Sequence, residues 1–414
     1  AGSSFSIGMV AFVKQLCINS SMAAKHRGFF SSLGEAVASY AVDVVYERRK
    51  GPGATLLGGF LKVLSWIFEV LVRLRLWLYR NRLFRDTPLG CKVVVVGNLT
   101  VGGTGKTPVV LKMAQVLASR GRKVAILSRG YKGASDSWAK RFWRWLTQGS
   151  RPDPLVVSDG RSVLVGPDEA GDEPYMLASN LRDVVVLVDK DRVKAGRYAV
   201  EHFGCDTLLL DDGFQYWKLA GRRTDVVLID CQQPFGNEHL LPRGTLREPP
   251  SHLARASVIF LTKSDGKTAA LRDRIALLNP RAGIIECVHH PLYFEDVFTG
   301  ERRGLDLLQG RRVASLSGIA QPESFESKLS ELGADIVLAR RYADHHRFTQ
   351  QEVLDAVNRG KKRRADMLVT TQKDAVRFPK LDRRDLPIYF MRVEIKIIAG
   401  AQGFDDAVSR ICFR

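Results

Sequence analysis

The sequence predicts an α/β protein. A parallel sheet sandwiched between helices carries a phosphate-binding loop, a second and smaller α/β domain follows, and an amphipathic helix precedes both. Three observations lead there. Short runs rich in Val, Ile and Leu at 92–97, 123–127, 184–189, 207–211, 225–230 and 257–261 alternate with helix-like stretches, as strands buried on both faces do. A glycine-rich turn follows the first run and opens a helical pattern. From about residue 285 a second series begins: IIECVHH, RRVASLSGIA, a helix-like ESFESKLSELG, ADIVLARRY, a helix-like 349–360 and DMLVTT. With 45% hydrophobic and 26% charged residues the chain can build a core, which excludes a mainly disordered protein.

Taken in order, residues 1–55 form an extension of unknown role. Met9–Cys17 is apolar, but Lys14 interrupts it and no cleavage signature follows, which argues against a secretory signal. In 56–88, Leu61, Leu64, Phe68, Leu71 and Val72 recur at helical spacing. Lys62, Glu69, Arg73 and Arg75 break the apolar runs short of the ~20 residues of a spanning helix. Arg73, Arg75, Arg80, Arg82 and Arg85 crowd one end beside Trp66, Trp77 and Tyr79, the composition of a helix lying in a membrane interface. Trp66, Arg73, Arg75 and Trp77 are the expected membrane contacts. The competing reading is a helix packed on the domain with its arginines in water. The P-loop domain spans 89–285 and the smaller domain 286–397, where 387–397 is expected to pair with 284–294. A tail, 398–414, remains.

The 63 Lys and Arg against 44 Asp and Glu give a net charge of +19, which calls for an anionic partner: nucleic acid, a membrane face or a phosphorylated substrate. The basic residues are spread widely and no RRM, KH or zinc-finger signature occurs, so nucleic acid is not expected. Six scattered cysteines without a CxxC pair fit a reducing cytoplasm.

The strand KVVVVG runs into Asn98-Leu-Thr-Val-Gly-Gly-Thr-Gly-Lys-Thr107. Such a turn points backbone N–H groups at phosphate oxygens, and the next helix adds its positive end. Thr100, Gly102, Gly103, Thr104, Gly105, Lys106 and Thr107 are the expected nucleotide-binding residues, although Thr100 stands where GxxxxGK[ST] has its first glycine. Lys106 would reach the β- and γ-phosphates, and the Thr107 hydroxyl would hold Mg²⁺. Asp211 and Asp212, closing the strand 207–211, suit Mg²⁺ or its water shell. Thr262-Lys-Ser-Asp265 resembles a guanine-reading element in short form. Asp172, in Gly171-Asp-Glu-Pro174, is a candidate to deprotonate an acceptor hydroxyl, with helix capping as the structural alternative.

Together VGNLTVGGTGKTP (96–108), SRGYKG (128–133), GDEP (171–174), DR (191–192), LDDGFQ (210–215), LLPRGTLREP (240–249), the DHH at 344–346 and TTQKDAVRF (370–378) resemble the bacterial tetraacyldisaccharide 4′-kinase family, in that family's order. The resemblance implies two α/β/α sandwiches joined by a two-stranded linker. It further implies transfer of the ATP γ-phosphoryl group to the 4′-hydroxyl of a tetraacylated glucosamine disaccharide 1-phosphate. The enzyme would sit peripherally at the cytoplasmic face of the inner membrane, on an anionic surface, with ATP and Mg²⁺ and without an obligate protein partner. Asp172 would activate the acceptor, paired with His345. Asp211, Asp212 and Glu248 would stand on the metal side, and Arg192, Gln215 and Arg247 would contact substrate or phosphate. One departure is that the family's DDGFQH reads DDGFQ-Tyr216 here.

Overall fold

The computed structural model describes residues 40–130, 153–219, 223–344, 346–379, 381 and 385–413. His345, the second half of SRGYKG (131–133) and the first 39 residues lie outside them.

Buried β-branched runs become strands as their composition dictates. β1 (Lys92–Asn98), β2 (Val124–Ser128), β3 (Leu155–Asp159), β4 (Val184–Val188), β5 (Thr207–Asp211), β6 (Arg223–Asp230), β7 (Val258–Thr262) and β8 (Gly283–Asp296) lie in the order β8-β7-β6-β1-β5-β2-β4-β3. Only β3 is antiparallel to its neighbour within this half. β1 shows why the run has no polar alternation. Val94 and Val96 enter one core layer and Val93 and Val95 the opposite one, so period two buries both faces. The second half adds β9 (Arg302–Arg303), β10 (Arg312–Ser317), β11 (Asp335–Arg341), β12 (Met367–Thr371) and β13 (Ile388–Ala399), in the order β11-β10-β12-β13-β8 with β9 beside β8.

The expected pairing of 387–397 with 284–294 is present: Ile395 faces His289 and Met391 faces Phe294, antiparallel. The two strands are nevertheless more than a linker. β8 has 14 residues and β13 has 12, long enough for each to take a second partner at its far end. β8 therefore continues into β7 through Val258–Gly283, and β13 into β12 through Leu368–Ile388. One 13-stranded sheet results.

Among the described residues, the helices that cover this sheet include α1 (Pro52–Arg80), α2 (Lys106–Ser119), α3 (Pro167–Ala170), α4 (Asp172–Asn180), α5 (Arg192–Phe203), α6 (Ala269–Leu278), α7 (Pro322–Glu331), α8 (Gln350–Lys362), α9 (Gln372–Ala375) and α10 (Ala401–Phe413). Expected as a tail, 398–414 instead carries α10. Phe404, Ala407, Val408 and Ile411 recur at three and four residues and enter the core beneath α2.

α1 also differs from expectation. Its charges leave a stretch long and apolar enough, by length and composition, to cross a membrane. In the fold it lies along the domain. Phe68 is buried with Leu99, Phe214 and Leu240, and the Ser65 hydroxyl donates to the Leu240 carbonyl at 2.8 Å. The opposite face exposes Leu56, Phe60, Val63, Trp66, Ile67, Val70, Leu74 and Trp77.

Candidate active site

Near the end of β1, at Gly97, a Cβ would stand 2.6 Å from that of Phe214 and 2.8 Å from its nitrogen. The strand end and the loop after β5 thus approach as only glycine permits. The P-loop then turns at Gly102 (φ +123°) and Gly105 (φ +75°). Thr100 bridges Leu246 in antiparallel fashion, Val101 N–H donates to Thr245 O at 2.8 Å and Arg247 N–H to Leu99 O at 2.6 Å. Extended, paired backbone suits a β-branched side chain, which explains threonine at the first loop position. Asn98 Nδ2 donates to Thr104 Oγ1 at 2.9 Å, and the Thr262 hydroxyl to Thr104 O at 3.0 Å. Thr262 of the guanine-reading look-alike therefore supports the loop from below. Its neighbour Lys263 is engaged by Asp230 at 2.5 Å and Gln321 at 2.7 Å.

His289 on β8 packs under the same loop, 2.9 Å from where a Cβ on Gly105 would be. Burial, and next to it the Lys263 ammonium, push its imidazole down to about 4, against Asp230. The folded protein thus holds His289 neutral, whereas the unfolded chain takes up the proton below its ordinary pKa of 6.5. Its contribution to stability is complete above that value and is lost as pH falls toward the folded one. The melting-temperature difference between wild type and His289→Gln is expected to narrow from pH 7 to pH 4.5. A constant difference would show that His289 does not titrate on unfolding.

At the end of β5 the carboxylates face the loop. Asp212 adopts φ +53°, an uncommon conformation for a residue with a side chain. Arg247 Nη1 holds both its oxygens at 2.9 Å, and Lys106 Nζ stands 3.5 Å from Oδ1. Gln215 joins the cluster, donating to Asn98 O at 3.0 Å and accepting from Arg247 at 3.3 Å. Asp211 is buried, and burial together with the Glu173 and Asp212 carboxylates raises it to about 7, opposed by Lys106 and Arg192. Arg192 Nη2 donates to the Asp211 carbonyl at 3.1 Å. Tyr216 donates to Asp191 Oδ1 at 3.3 Å, and burial pushes the phenol up to about 12. That position is a neutral donor at any physiological pH. Asp191 in turn caps α5 through Val193 N–H at 3.1 Å and Lys194 N–H at 3.4 Å.

These groups fit a nucleotide with a divalent cation. A buried carboxylate raised by its neighbours is relieved by a cation, and Asn98 Oδ1, Arg192 Nε and Arg247 Nε are buried polar atoms without a protein partner. Among the described residues no cluster of three or more His, Cys, Asp or Glu could cage a metal. This donor set matches a cation shared between Thr107, one or two carboxylates and substrate phosphates.

Asp172 opens α4 after Gly171 (φ +87°). Arg377 Nε donates to Asp172 Oδ2 at 2.6 Å. Arg377 is itself held by Asp374 Oδ1 at 3.2 Å and Gly318 O at 3.3 Å, and Asp374 accepts from the Thr371 hydroxyl at 2.7 Å. Lys373 reaches Asp344 at 3.2 Å and Glu173 at 4.0 Å. Since Glu173 also acts on Asp211, the GDEP turn lies within electrostatic reach of the acidic pair. Sequence reasoning missed Arg377, although the i, i+3 pair Asp374 and Arg377 stands in the quoted TTQKDAVRF. Arg129, within electrostatic reach of Asp212 and Arg247, was likewise visible only as part of SRGYKG.

Two expected roles are reassigned. Glu248 is 3% exposed, and its Oε2 is taken by His252 Nδ1 at 2.6 Å and Arg255 Nη1 at 2.9 Å. Its carboxylate thus neutralises a buried arginine and is not offered to a metal. Arg75 turns inward, Nη2 donating to the Gln215 carbonyl at 3.0 Å, whereas Arg73 stays outside in an i, i+4 pair with Glu69. Trp66 and Trp77 are 67% and 53% exposed.

A family model described as tetraacyldisaccharide-1-P 4′-kinase matches residues 57–412. A tetraacyldisaccharide 4′-kinase of Anaeromyxobacter dehalogenans (strain 2CP-C) is 43% identical over 375 residues, covering 88% of this chain and 93% of the relative. One from Syntrophus aciditrophicus (strain SB) is 38% identical over 347 residues, covering 81% and 88%. The crystal structure of "apo" form LpxK from Aquifex aeolicus in complex with ATP superposes with a TM-score of 0.66 at 27% identity, covering 86% of this chain and 100% of that one.

Proposed function

The chain belongs to the tetraacyldisaccharide-1-P 4′-kinase family, and on that premise we propose that the cleft between P-loop, acidic pair and GDEP turn is where the phosphoryl group is transferred. The reaction is that of the family: the γ-phosphoryl group of ATP passes to the 4′-hydroxyl of a tetraacyldisaccharide 1-phosphate in lipid A biosynthesis. One observation carries the assignment of the cleft. Lys106 of the P-loop and Arg247 of LREP meet on Asp212, while Glu173, next to Asp172, raises Asp211.

In this reading the loop N–H groups and Lys106 hold the ATP phosphates, and Arg192 and Arg247 present guanidinium donors to phosphate oxygens. Thr107, Asp211 and Asp212 would hold Mg²⁺, which when bound supplies neutralisation of phosphate charge. Asp172 accepts the proton of the 4′-hydroxyl as its oxygen bonds to the γ-phosphorus, and the bond to the β–γ bridging oxygen breaks. Arg377 fixes the carboxylate through Oδ2, which orients it for the acceptor hydroxyl. With radiolabelled ATP and the acylated disaccharide 1-phosphate in detergent, label should move into the lipid. ATP hydrolysis without labelled lipid would refute the transfer.

The exposed apolar face of α1 supports peripheral attachment at the cytoplasmic face of the inner membrane, where the acylated acceptor resides. Trp66→Glu with Trp77→Glu is expected to lower co-sedimentation with anionic vesicles by at least about tenfold, since each change removes an inserted ring and adds a charge repelled by the surface. Unchanged co-sedimentation would leave that face without a lipid role.

A further inference from the structure

We propose that Arg75 is a positioning residue for phosphoryl transfer, holding the loop 211–217 from the membrane-facing helix in the shape that presents Asp212 and Gln215 to the nucleotide. The inference rests on the cleft assignment above.

Three consecutive carbonyls of this loop are each taken by an arginine. Phe214 O accepts from Arg223 Nη2 at 3.1 Å and Arg255 Nη2 at 3.3 Å, Gln215 O from Arg75 Nη2 at 3.0 Å, and Tyr216 O from Arg223 Nη1. Arg223 and Arg255 belong to the domain and have buried counter-charges in Asp225 at 2.6 Å and Glu248 at 2.9 Å. Arg75 arrives from α1. The Tyr79 ring on the same helix stacks on Trp217 with centroids 6.1 Å apart, so α1 grips the loop at two points.

The loop needs holding. Asp212 sits at φ +53°, and a Cβ on the following Gly213 would be 2.7 Å from Leu210 Cβ. Such a conformation persists only where its surroundings over-determine it. The residue whose carbonyl Arg75 holds is also the one whose side chain ties the end of β1 to Arg247: Gln215 donates to Asn98 O and accepts from Arg247, which grips Asp212. A shift of the Gln215 backbone is therefore transmitted to Arg247, to Asp212 and to Lys106 beyond it. Seating of the helix on the domain and alignment of the phosphate-binding groups are one event.

Arg75→Met keeps the apolar stem and removes the donor, while Arg75→Lys keeps a single donor. With detergent-dispersed acceptor, Arg75→Met should lower kcat roughly tenfold, the effect of one lost hydrogen bond on a strained loop, with KM for ATP nearly unchanged. Arg75→Lys should retain more turnover than Arg75→Met, and both should co-sediment with anionic vesicles like wild type. Wild-type kcat in Arg75→Met, equal losses in the two variants, or a loss of vesicle binding with kcat intact would overturn the proposal. Asp212→Asn, assayed in parallel, separates the two readings. Full turnover there means the cleft itself is wrongly assigned, whereas its loss beside an unaffected Arg75→Met refutes only the role of Arg75.

Discussion

Asp172→Asn is expected to lower kcat roughly 10³-fold while KM for ATP moves less than about threefold, the signature of an interaction made only in the transition state. The substitution keeps the shape and the Arg377 contact but removes the basic oxygen. Its position explains the selectivity. Asp172 stands at the start of α4, tied to Arg377, while the P-loop groups converge on Asp212. In the proposed reading, nucleotide affinity is therefore carried by other residues. A loss confined to KM, or turnover near wild type, would remove Asp172 from the role of base.

The second large effect is expected at the P-loop. Lys106→Ala should reduce kcat/KM for ATP by about 10²–10³-fold, the cost of removing one pre-placed donor to developing phosphate charge. Stability should hardly change, with a melting shift under about 2 °C, because Asp212 keeps its Arg247 contacts and a single partly exposed pair 3.5 Å apart contributes little. Lys106→Arg should not restore activity, since a planar fork does not reproduce a point charge on a flexible stem. Turnover retained in either variant would move phosphate binding away from this loop.

The strands, the P-loop and the acidic pair were legible because each leaves a local trace: a buried apolar run, glycines at fixed offsets, carboxylates at a strand end. Pairing across the chain leaves none. Arg377 meets Asp172 from 205 residues away, and nothing in the spacing of either motif announces it. Glu248 reads as a cleft carboxylate until His252 and Arg255 are seen to enclose it. Helical spacing separates faces but does not say which one meets the domain. Arg73 and Arg75 are two residues apart, about 200° around the axis, so one must point away when the other points in. Trp66 and Trp77, eleven residues apart, share a face to within about 20°, and both lie on the outer side.

The placement of α10 bears on how the chain acquires its structure during synthesis. Phe404, Val408 and Ile411 complete the apolar layer that also contains Val94, Val110 and Leu117, yet the ribosome makes them some three hundred residues after β1. β13, which joins the two halves of the sheet, emerges only just before them. The nucleotide-binding half therefore waits, with an unfinished layer beneath its P-loop helix, until the whole second half has been translated. Such long delays leave apolar surface open to chaperones and to aggregation, and they tie completion of the layer beneath the P-loop helix to synthesis of α10.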